Sequence, residues 1–367
     1  MSRFLKSGLQ GMKPYAPGEQ PKDSKIIKLN TNESPYPPSP KVIEAINREE
    51  VGKLRLYSDP GAKELVEAAA EYYGVEKDQI MAGNGSDELL AFSFMAYGTK
   101  VYFPSISYGF YKVYGQIFGK KVTTIPLGKD FKIIAKDYYN LDGTVVIANP
   151  NAPTGIALTK DEIEQIIISN KNNLVIIDEA YVDFGAESVV CLVGQYDNLL
   201  VIQTLSKSRS LAGARIGVAI GNKEIIGDLK NIKYSFNPYN LNRLSILAGA
   251  AAFSDKAYFE ECCRKIMDTR ERFVQDLESS GFEILPSKAN FIFAKHPGIS
   301  GEECFQKLRG NNILVRHFND PLIKDYVRIT IGTEEEMNAI RDQLTALENG
   351  AGSDSENRAY KKKRGKR

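Results

Sequence analysis

TLSKSRSLAGARIG, residues 204–217, is the stretch of sequence from which the fold can be worked out. It follows LLVIQ (199–203), an apolar run typical of a buried strand. A Leu-Ala-Gly segment then lets the chain double back before RIGVAIG (215–221). Lys207 is therefore expected at the carboxyl end of a strand, where open α/β sheets keep their ligand crevice.

The polar residues of this stretch suit one particular cofactor. Pyridoxal 5'-phosphate (PLP) needs an amine to bind its aldehyde and charge-assisted contacts for its phosphate. Lys207 can supply the amine, and Ser206 with Arg215 can supply the anion contacts. The alternative is a surface lysine beside a structural arginine, so support must come from elsewhere in the chain.

The rest of the chain alternates apolar, β-branched runs with helical patterns, which favours an α/β fold with a mostly parallel, helix-covered sheet. The predicted strands of this sheet are VYFP (101–104), KVTTIPL (121–127), TVVIANP (144–150), NLVIIDEA (173–180), NLLVIQTL (198–205) and RIGVAIG (215–221). Helical patterns are predicted from about Pro40 to Arg48, after a cap at Ser58 or Asp59, and over 240–253 and 257–279.

The later part of the chain predicts a smaller α+β domain. Its strands are NFIFAK (290–295), ILVRHF (313–318) and YVRITIG (326–332), followed by the helix TEEEMNAIRDQLTALE. We therefore expect an N-terminal arm over 1–44 that is part of the small domain, a large domain over 45–255 and a small domain over 256–348. Residues 349–367 are polar and basic and predict a disordered tail.

Composition and charge exclude several classes of protein. The tail contributes +5 to a total charge of +2, so the remaining chain carries −3, which does not indicate nucleic-acid binding. We find neither a signal-peptide pattern nor a membrane-length apolar run and expect a cytoplasmic protein. The spacing of the four cysteines predicts reduced, structural thiols, and the two histidines make a histidine-based metal site improbable.

Asp178 ends the apolar run VIIDEA, and a buried carboxylate there needs a partner. A Walker B strand has this pattern too, but the phosphate-binding GxxxxGK[ST] motif that would accompany it does not occur. The other interpretation pairs Asp178 with the protonated pyridine nitrogen of PLP, while Tyr181 donates to the ring oxygen. A purely structural aspartate is the remaining alternative.

Further candidates lie after other strands. Ser86 and Asp87 open a helix after a glycine turn, where free N–H groups can bind an anion. Tyr108 is suited to stacking on a flat ring, although simple packing explains it equally well. The asparagines of NPNAPTG (149–155) lie in a turn that can reach the cofactor ring.

These segments together carry a resemblance to a known family. Eight motifs occur in an order and at separations similar to those of the class II PLP-dependent aminotransferases of fold type I. They are NTNESP, YSDP, GNGSDE, SYG, NPNAPTG, DEAYVDF, TLSKSRSLAGAR and VRITIGT. The similarity spans about residues 10–346 and is greatest to members that act on L-histidinol phosphate.

The resemblance implies roles for individual residues. Lys207 looks like the lysine that binds the cofactor and moves the substrate proton, with Asp178 on the pyridine nitrogen and Tyr181 on the ring oxygen. Tyr108 resembles the stacking aromatic. The remaining implied contacts are the phosphate cradle of Gly85, Ser86, Asp87, Ser206 and Arg215, the neighbouring-subunit contact of Tyr57, and the substrate anion contacts of Arg328, Arg316 and Tyr15. A homodimer is implied by the role of Tyr57.

One position departs from the family pattern. Relatives often place an asparagine directly before Pro-Thr-Gly to contact the ring oxygen, and this chain has Ala152 there. The adjacent Asn151 is the candidate replacement.

The resemblance implies reversible transamination between L-histidinol phosphate and 2-oxoglutarate, yielding glutamate, with no nucleic-acid or membrane partner. Three alternatives stay open: an aromatic-amino-acid aminotransferase, a PLP-dependent decarboxylase of an amino-acid phosphate, and a module that binds PLP without turnover.

Overall fold

The computed structural model describes residues 3–23 and 25–345, so the predicted tail over 349–367 lies outside the described residues. The strands are β1 Ile27–Lys28, β2 Ile80–Asn84, β3 Lys100–Pro104, β4 Lys121–Ile125, β5 Thr144–Ala148, β6 Val175–Asp178, β7 Leu199–Thr204, β8 Ile216–Gly221, β9 Glu283–Ile284, β10 Phe291–Lys295, β11 Ile313–Leu314, β12 Arg316–His317 and β13 Val327–Thr330. The α-helices are α1 Pro40–Ala45, α2 Arg48–Gly52, α3 Lys63–Tyr73, α4 Gly85–Ala96, α5 Phe110–Ile117, α6 Lys160–Ser169, α7 Lys223–Phe236, α8 Arg243–Ser254, α9 Lys256–Ser279, α10 Gly301–Gly310 and α11 over 334–345.

The larger sheet has seven strands in the order β2-β8-β7-β6-β5-β3-β4. All neighbouring pairs are parallel except those of β8, which runs antiparallel to both β2 and β7. The central strands are buried throughout, as expected for strands that are covered on both faces. The mostly parallel sheet predicted from the sequence is therefore confirmed.

Two apolar cores cover the faces of this sheet, and the alternation of side chains along a strand assigns residues to each. In β5, Val145 and Ile147 belong to one core, whereas Val146 and Ala148 belong to the other. The edge strand β4 exposes Lys121, Thr123 and Thr124, in keeping with its single pairing partner.

A second unit contains the later strands. An antiparallel sheet has the order β12-β13-β10-β9, and β1 of the arm pairs in parallel with β11. Their apolar side chains pack with α9, α10 and α11 in a third core. This is the α+β arrangement expected of the smaller part, although the proposed domain boundaries stay predictions.

Two local predictions needed correction. The helix expected to be capped at Ser58 or Asp59 begins at Lys63, and the carboxylate of Asp59 accepts the amide hydrogen of that residue at 2.6 Å. The predicted strand over 313–318 is divided into β11 and β12, which belong to different sheets. Helix α1, at the end of the predicted arm, packs on α8 of the larger unit.

In the described part of the chain, no helix combines the length and the apolar character needed to cross a lipid bilayer. None of the four cysteines, all of which lie in the described ranges, forms a disulfide.

Candidate active site

Lys207 lies three residues beyond the end of β7, in the tight connection that reverses the chain into β8. Its Nζ donates to the carbonyl oxygen of Thr31 at 3.0 Å and lies 5.9 Å from the ring centroid of Tyr181. No carboxylate among the described residues forms an ion pair with it. Burial, assisted by the nearby positive charge of Arg328, lowers the pKa of Lys207 to about 8.

A cavity of about 240 Å³ surrounds this amine. The arm, the carboxyl ends of the large sheet and the smaller sheet all contribute to its wall. The predicted site residues that line it are Tyr15, Ser86, Asp87, Tyr108, Asp178, Tyr181, Ser206, Lys207, Arg215, Arg316 and Arg328. Residues separated by up to 313 positions in the sequence, Tyr15 and Arg328, are thus brought into one cavity by the fold.

Asp178 ends β6 and lies at the floor of the cavity, where it is 4% exposed. Burial raises the pKa of Asp178 to about 6, and a hydrogen bond from Tyr111 opposes that rise. The Tyr111 hydroxyl donates to Oδ2 at 2.7 Å, and the amide of Ala180 donates to Oδ1 at 3.2 Å. The carboxylate is therefore held in a fixed orientation by donors on both oxygens.

The amino end of α4 forms a second polar region. Gly85 begins this helix with φ of +77°, a conformation that favours glycine. A Cβ at that position would lie 2.5 Å from Nη2 of Arg215. The arginine itself donates to Oδ2 of Asp87 at 2.8 Å, and its own φ is +54°. The backbone is thus shaped to hold a guanidinium against the amino end of a helix, where an anion binds favourably.

Two hydroxyl-bearing side chains complete this region. The Thr204 hydroxyl donates to the Ile216 carbonyl at 3.1 Å, and its oxygen lies 3.0 Å from Oγ of Ser206, so the two hydroxyls are hydrogen-bonded to each other at the cavity. Tyr108 donates to Oδ1 of Asp87 at 2.7 Å and keeps its ring in the cavity wall. Burial raises the pKa of Tyr108, so the phenol stays protonated near neutral pH.

Tyr181 is oriented from the arm by Asn32. Nδ2 of Asn32 donates to the Tyr181 hydroxyl at 2.9 Å, and the Thr330 hydroxyl donates to Oδ1 of the same asparagine at 3.0 Å. Because the phenol oxygen accepts from Asn32, its own hydrogen is free to be donated to an acceptor in the cavity. Asn32 is 1% exposed and has φ of +57°, so the surrounding structure constrains it strongly.

A pair of arginines occupies the opposite side of the cavity. Arg328 donates through Nη2 to the Asn30 carbonyl at 2.9 Å, but its buried Nε has no hydrogen-bond partner among the described residues. Its guanidinium lies 5.3 and 5.8 Å from the ring centroids of Phe291 and Phe318, and burial lowers the pKa of Arg328. A half-buried guanidinium with a buried, unused Nε donor and no carboxylate partner among the described residues is suited to binding an anion.

Arg316 and Tyr15 lie beside this guanidinium. Arg316 donates to the Ala16 carbonyl at 3.0 Å, and Tyr15 stacks on Phe110 with ring centroids 4.3 Å apart. Both residues also line an adjoining cavity of about 250 Å³, which extends the space beyond Arg328.

Three predicted residues do not line this cavity: Gly85, which begins α4 beside it, Asn151 and Tyr57. Asn151 uses its amide hydrogens on the Ile106 carbonyl and the Thr154 hydroxyl, and its oxygen accepts from Ser107. It therefore lies outside the cavity, contrary to the prediction that it reaches the cofactor ring, whereas Ala152 does line the wall. Tyr57 is 82% exposed, stacks on Tyr239 and does not line the cavity of its own chain.

Sequence reasoning gave no role to Asn32, Thr31 or Tyr111. Asn32 and Thr31 belong to NTNESP, a segment that carried the family resemblance without any assigned contact. Tyr111 follows Tyr108 by three positions, a spacing that places both residues on one side of a helix that begins there. That spacing was the available signal.

The residues present fit pyridoxal phosphate. The chain supplies an amine of lowered pKa that has no ion-pair partner among the described residues, an oriented carboxylate, a phenol with a free hydrogen and an anion cradle that a Cβ at Gly85 would obstruct. The aromatic face of Tyr108 lies in the same wall.

Comparisons with known proteins agree with this arrangement. A family model described as aminotransferase class I and II matches residues 24–344. The histidinol-phosphate aminotransferase of Brachyspira hyodysenteriae is 53% identical over 94% of this chain and 98% of its own length.

Solved structures show the same fold. The histidinol-phosphate aminotransferase of Clostridium acetobutylicum superposes with a TM-score of 0.82 at 26% identity, covering 89% of this chain and 100% of the other. The Sinorhizobium meliloti enzyme of that name, in complex with pyridoxal-5'-phosphate, reaches 0.83 at 22% identity, covering 95% and 99%. The chain belongs to the class I and II aminotransferases.

Proposed function

We propose that this aminotransferase binds pyridoxal phosphate at Lys207 and transfers the amino group of L-histidinol phosphate to 2-oxoglutarate. The relative at 53% identity is named for that substrate, and the cavity supports the assignment. The observation that carries it is Arg328, which lines the same cavity as Lys207 and has a buried Nε donor without a partner among the described residues. An anionic group on the substrate would complete its hydrogen bonds.

Each protein group has a defined task in this proposal. Bound pyridoxal phosphate supplies a carbonyl for the substrate amine and a ring that accepts electrons from Cα. Asp178 would hold the ring nitrogen by charge, and the Tyr181 hydroxyl would donate to the ring oxygen. Arg215, Ser206 and the first amides of α4 would bind the phosphate, and the aromatic side chain of Tyr108 would contact the ring.

Lys207 is suited to moving the substrate proton. A lysine amine of ordinary pKa is protonated at neutral pH and cannot accept a proton. Burial lowers the pKa of Lys207 to about 8, which makes the neutral amine accessible near physiological pH. With the substrate amine in place, Nζ would take the proton from the substrate Cα, hold it and later give it back.

The two substrates place different anions at one arginine. Histidinol phosphate has no carboxylate, so its phosphate must take the position that the carboxylate of glutamate takes in the second half of the reaction. A planar guanidinium can bind either group through two parallel hydrogen bonds. Arg316 and Tyr15, beside Arg328, would add contacts to the larger phosphate group.

The test is an absorbance titration of the PLP-loaded protein without a keto acid. L-histidinol phosphate should convert the cofactor to its amino form, and 2-oxoglutarate should then restore the starting spectrum. Conversion by L-phenylalanine or L-tyrosine alone would identify an aromatic-amino-acid aminotransferase instead. Release of carbon dioxide without formation of the amino form would identify a decarboxylase.

We also propose a homodimer in which Tyr57 reaches the cofactor phosphate of the neighbouring subunit. Tyr57 is 82% exposed and stacks on Tyr239, which is itself exposed. The apolar side chains of Leu54, Leu56 and Phe236 are exposed as well, and association of two chains would remove such side chains from water.

Complementation between two inactive variants tests this arrangement. Lys207→Ala lacks the reactive amine, and Tyr57→Ala lacks the phosphate contact that we assign to the neighbouring site. A mixed dimer of the two variants contains one site with both residues intact, so mixing should restore activity that neither variant has alone. If mixing restores nothing although mixed dimers form, Tyr57 does not act across subunits.

A further inference from the structure

We propose that Tyr111 is a positioning residue that keeps the proton shared between Asp178 and the cofactor ring on the ring nitrogen. The inference rests on the role proposed above for Asp178 and adds a residue to which that proposal gives no part. Tyr111 lies behind the cavity wall and touches neither the substrate space nor the proposed phosphate cradle.

The contact between the two residues is short and enclosed. The Tyr111 hydroxyl donates to Oδ2 of Asp178 at 2.7 Å, and both side chains are buried, with Tyr111 at 0% exposure. Its ring is packed between Phe103, at a centroid distance of 5.6 Å, and Tyr108, at 5.7 Å. The hydroxyl therefore cannot turn to another acceptor without disturbing an aromatic core.

Tyr111 is the middle member of a regular set. Tyr108, Tyr111 and Tyr114 are spaced three residues apart, and their hydroxyls donate to Asp87 Oδ1, Asp178 Oδ2 and the Asp87 carbonyl oxygen. One side of the segment that forms α5 thus supplies hydrogen bonds to both acidic residues of the cavity. Only the central tyrosine contacts the carboxylate assigned to the ring nitrogen.

The direction of proton transfer follows from the electrostatics. Burial raises the pKa of Asp178 and thereby favours its neutral form, and the nearby charge of Asp87 acts in the same direction. A hydrogen bond from Tyr111 stabilises the charged form instead. Burial also raises the pKa of Tyr111, as does Asp178 itself, so the tyrosine remains the donor.

Without this hydroxyl, Asp178 would hold the shared proton more tightly. Within the described residues Tyr111 is its one side-chain hydrogen-bond donor, and the Ala180 amide is the remaining donor. Tyr114 and Tyr181 also lie close enough to interact electrostatically with Asp178, but neither donates to it. A neutral carboxyl beside an unprotonated ring nitrogen would make the ring a weaker electron acceptor.

The test compares Tyr111→Phe with wild type after loading both with PLP labelled with ¹⁵N in its ring. The ¹⁵N chemical shift reports whether the nitrogen carries the proton, and no substrate is needed. We expect loss of one hydrogen bond to a charged group to move the proton equilibrium about tenfold or more toward Asp178. Wild-type conversion by histidinol phosphate separately decides the proposed function.

Two further variants separate positioning from stability. Tyr138→Phe also removes the hydroxyl of a tyrosine with 0% exposure, but this hydroxyl has no partner among the described residues and does not line the cavity. It should leave the ¹⁵N shift unchanged. In an Asp178→Asn background the Tyr111→Phe change should have no further effect on the shift, because an amide cannot take the proton.

An unchanged ¹⁵N shift in Tyr111→Phe would overturn the inference. Should that variant fail to fold, a fluorinated tyrosine at position 111 retains the ring and makes the hydroxyl a stronger donor. The shared proton must then move further toward the ring nitrogen, and a shift that stays the same or moves toward Asp178 would contradict the proposal.

Discussion

Replacement of Arg328 by methionine should abolish most of the anion recognition while leaving the fold intact. The guanidinium already uses Nη2 on the Asn30 carbonyl at 2.9 Å, whereas its Nε is buried without a partner. A bound carboxylate or phosphate would therefore gain donors that are already desolvated. Methionine retains an apolar side chain that can pack against Phe291 and Phe318.

The size of the effect follows from the number of hydrogen bonds lost. Each hydrogen bond to a charged group contributes ~1.5–3 kcal/mol, so a two-point contact contributes ~3–6 kcal/mol. At ~1.4 kcal/mol for each tenfold change, kcat/KM should fall ~10²- to ~10⁴-fold. The loss should be of similar size for histidinol phosphate and for glutamate, because one guanidinium serves both.

Steady-state kinetics with each substrate, together with the absorbance of the bound cofactor, would measure this loss. Arg272→Met is a matched control, since Arg272 is exposed and pairs with Glu334 outside the cavity. The same loss in the control, or loss for only one of the two substrates, would refute the assignment of a shared anion site.

Three other predictions concern the cofactor site and its framework. The rate at which the cofactor-free protein takes up PLP should rise with pH around a midpoint near 8, the pKa of Lys207, because only the neutral amine attacks a carbonyl. Stopped-flow absorbance would measure this rate, and a midpoint above 10 would mean that burial does not lower the pKa of Lys207. Gly85→Ala should weaken PLP binding and lower the free energy of unfolding by ~1–3 kcal/mol, because φ is +77° there and the added Cβ would clash with Arg215. The control Gly227→Ala lies in a helix with open space around it and should be neutral or stabilising. Equal PLP affinities of the two variants in fluorescence titrations would contradict this prediction. Asn32→Ala should lower the denaturation midpoint more than Asn32→Gly does. Both variants lose the hydrogen bond to Tyr181, but only alanine is strained at φ of +57°. A lower midpoint for the glycine variant would mean that this strain is absent.

The parts of the site that follow directly from strand ends were predictable from the sequence. Asp178 closes an apolar run, and Lys207 follows another, so the shared edge of a parallel sheet brings both together. Arg215 directly precedes the returning strand, which places it near the same edge. In these cases local periodicity determines the position of a side chain.

The missed and corrected residues depend on contacts between distant segments. Asn32 meets Thr330 across 298 positions, and no local pattern reports such a contact. The side-chain amide of Asn151 is hydrogen-bonded to Ser107 and Ile106, which belong to another loop. No local sequence pattern shows these contacts, so the sequence alone did not distinguish Asn151 from a residue that lines the cavity. In the sequence Tyr111 resembles an ordinary aromatic residue of the core, and only the structure shows that its hydroxyl donates a hydrogen bond to Asp178.

The clamp formed by Asn32 and Thr330 has a consequence for synthesis on the ribosome. Asp178 and Lys207, which are assigned to the cofactor, lie near the middle of the chain and are synthesised well before its last strands. Thr330, which holds Asn32 against Tyr181, lies on β13, the last strand described. A nascent chain that stops before Val327 lacks that anchor and Arg328 as well. Tight capture of pyridoxal phosphate should therefore be a late event of translation, and ribosome-bound truncations of increasing length should acquire it only after β13 has left the exit tunnel.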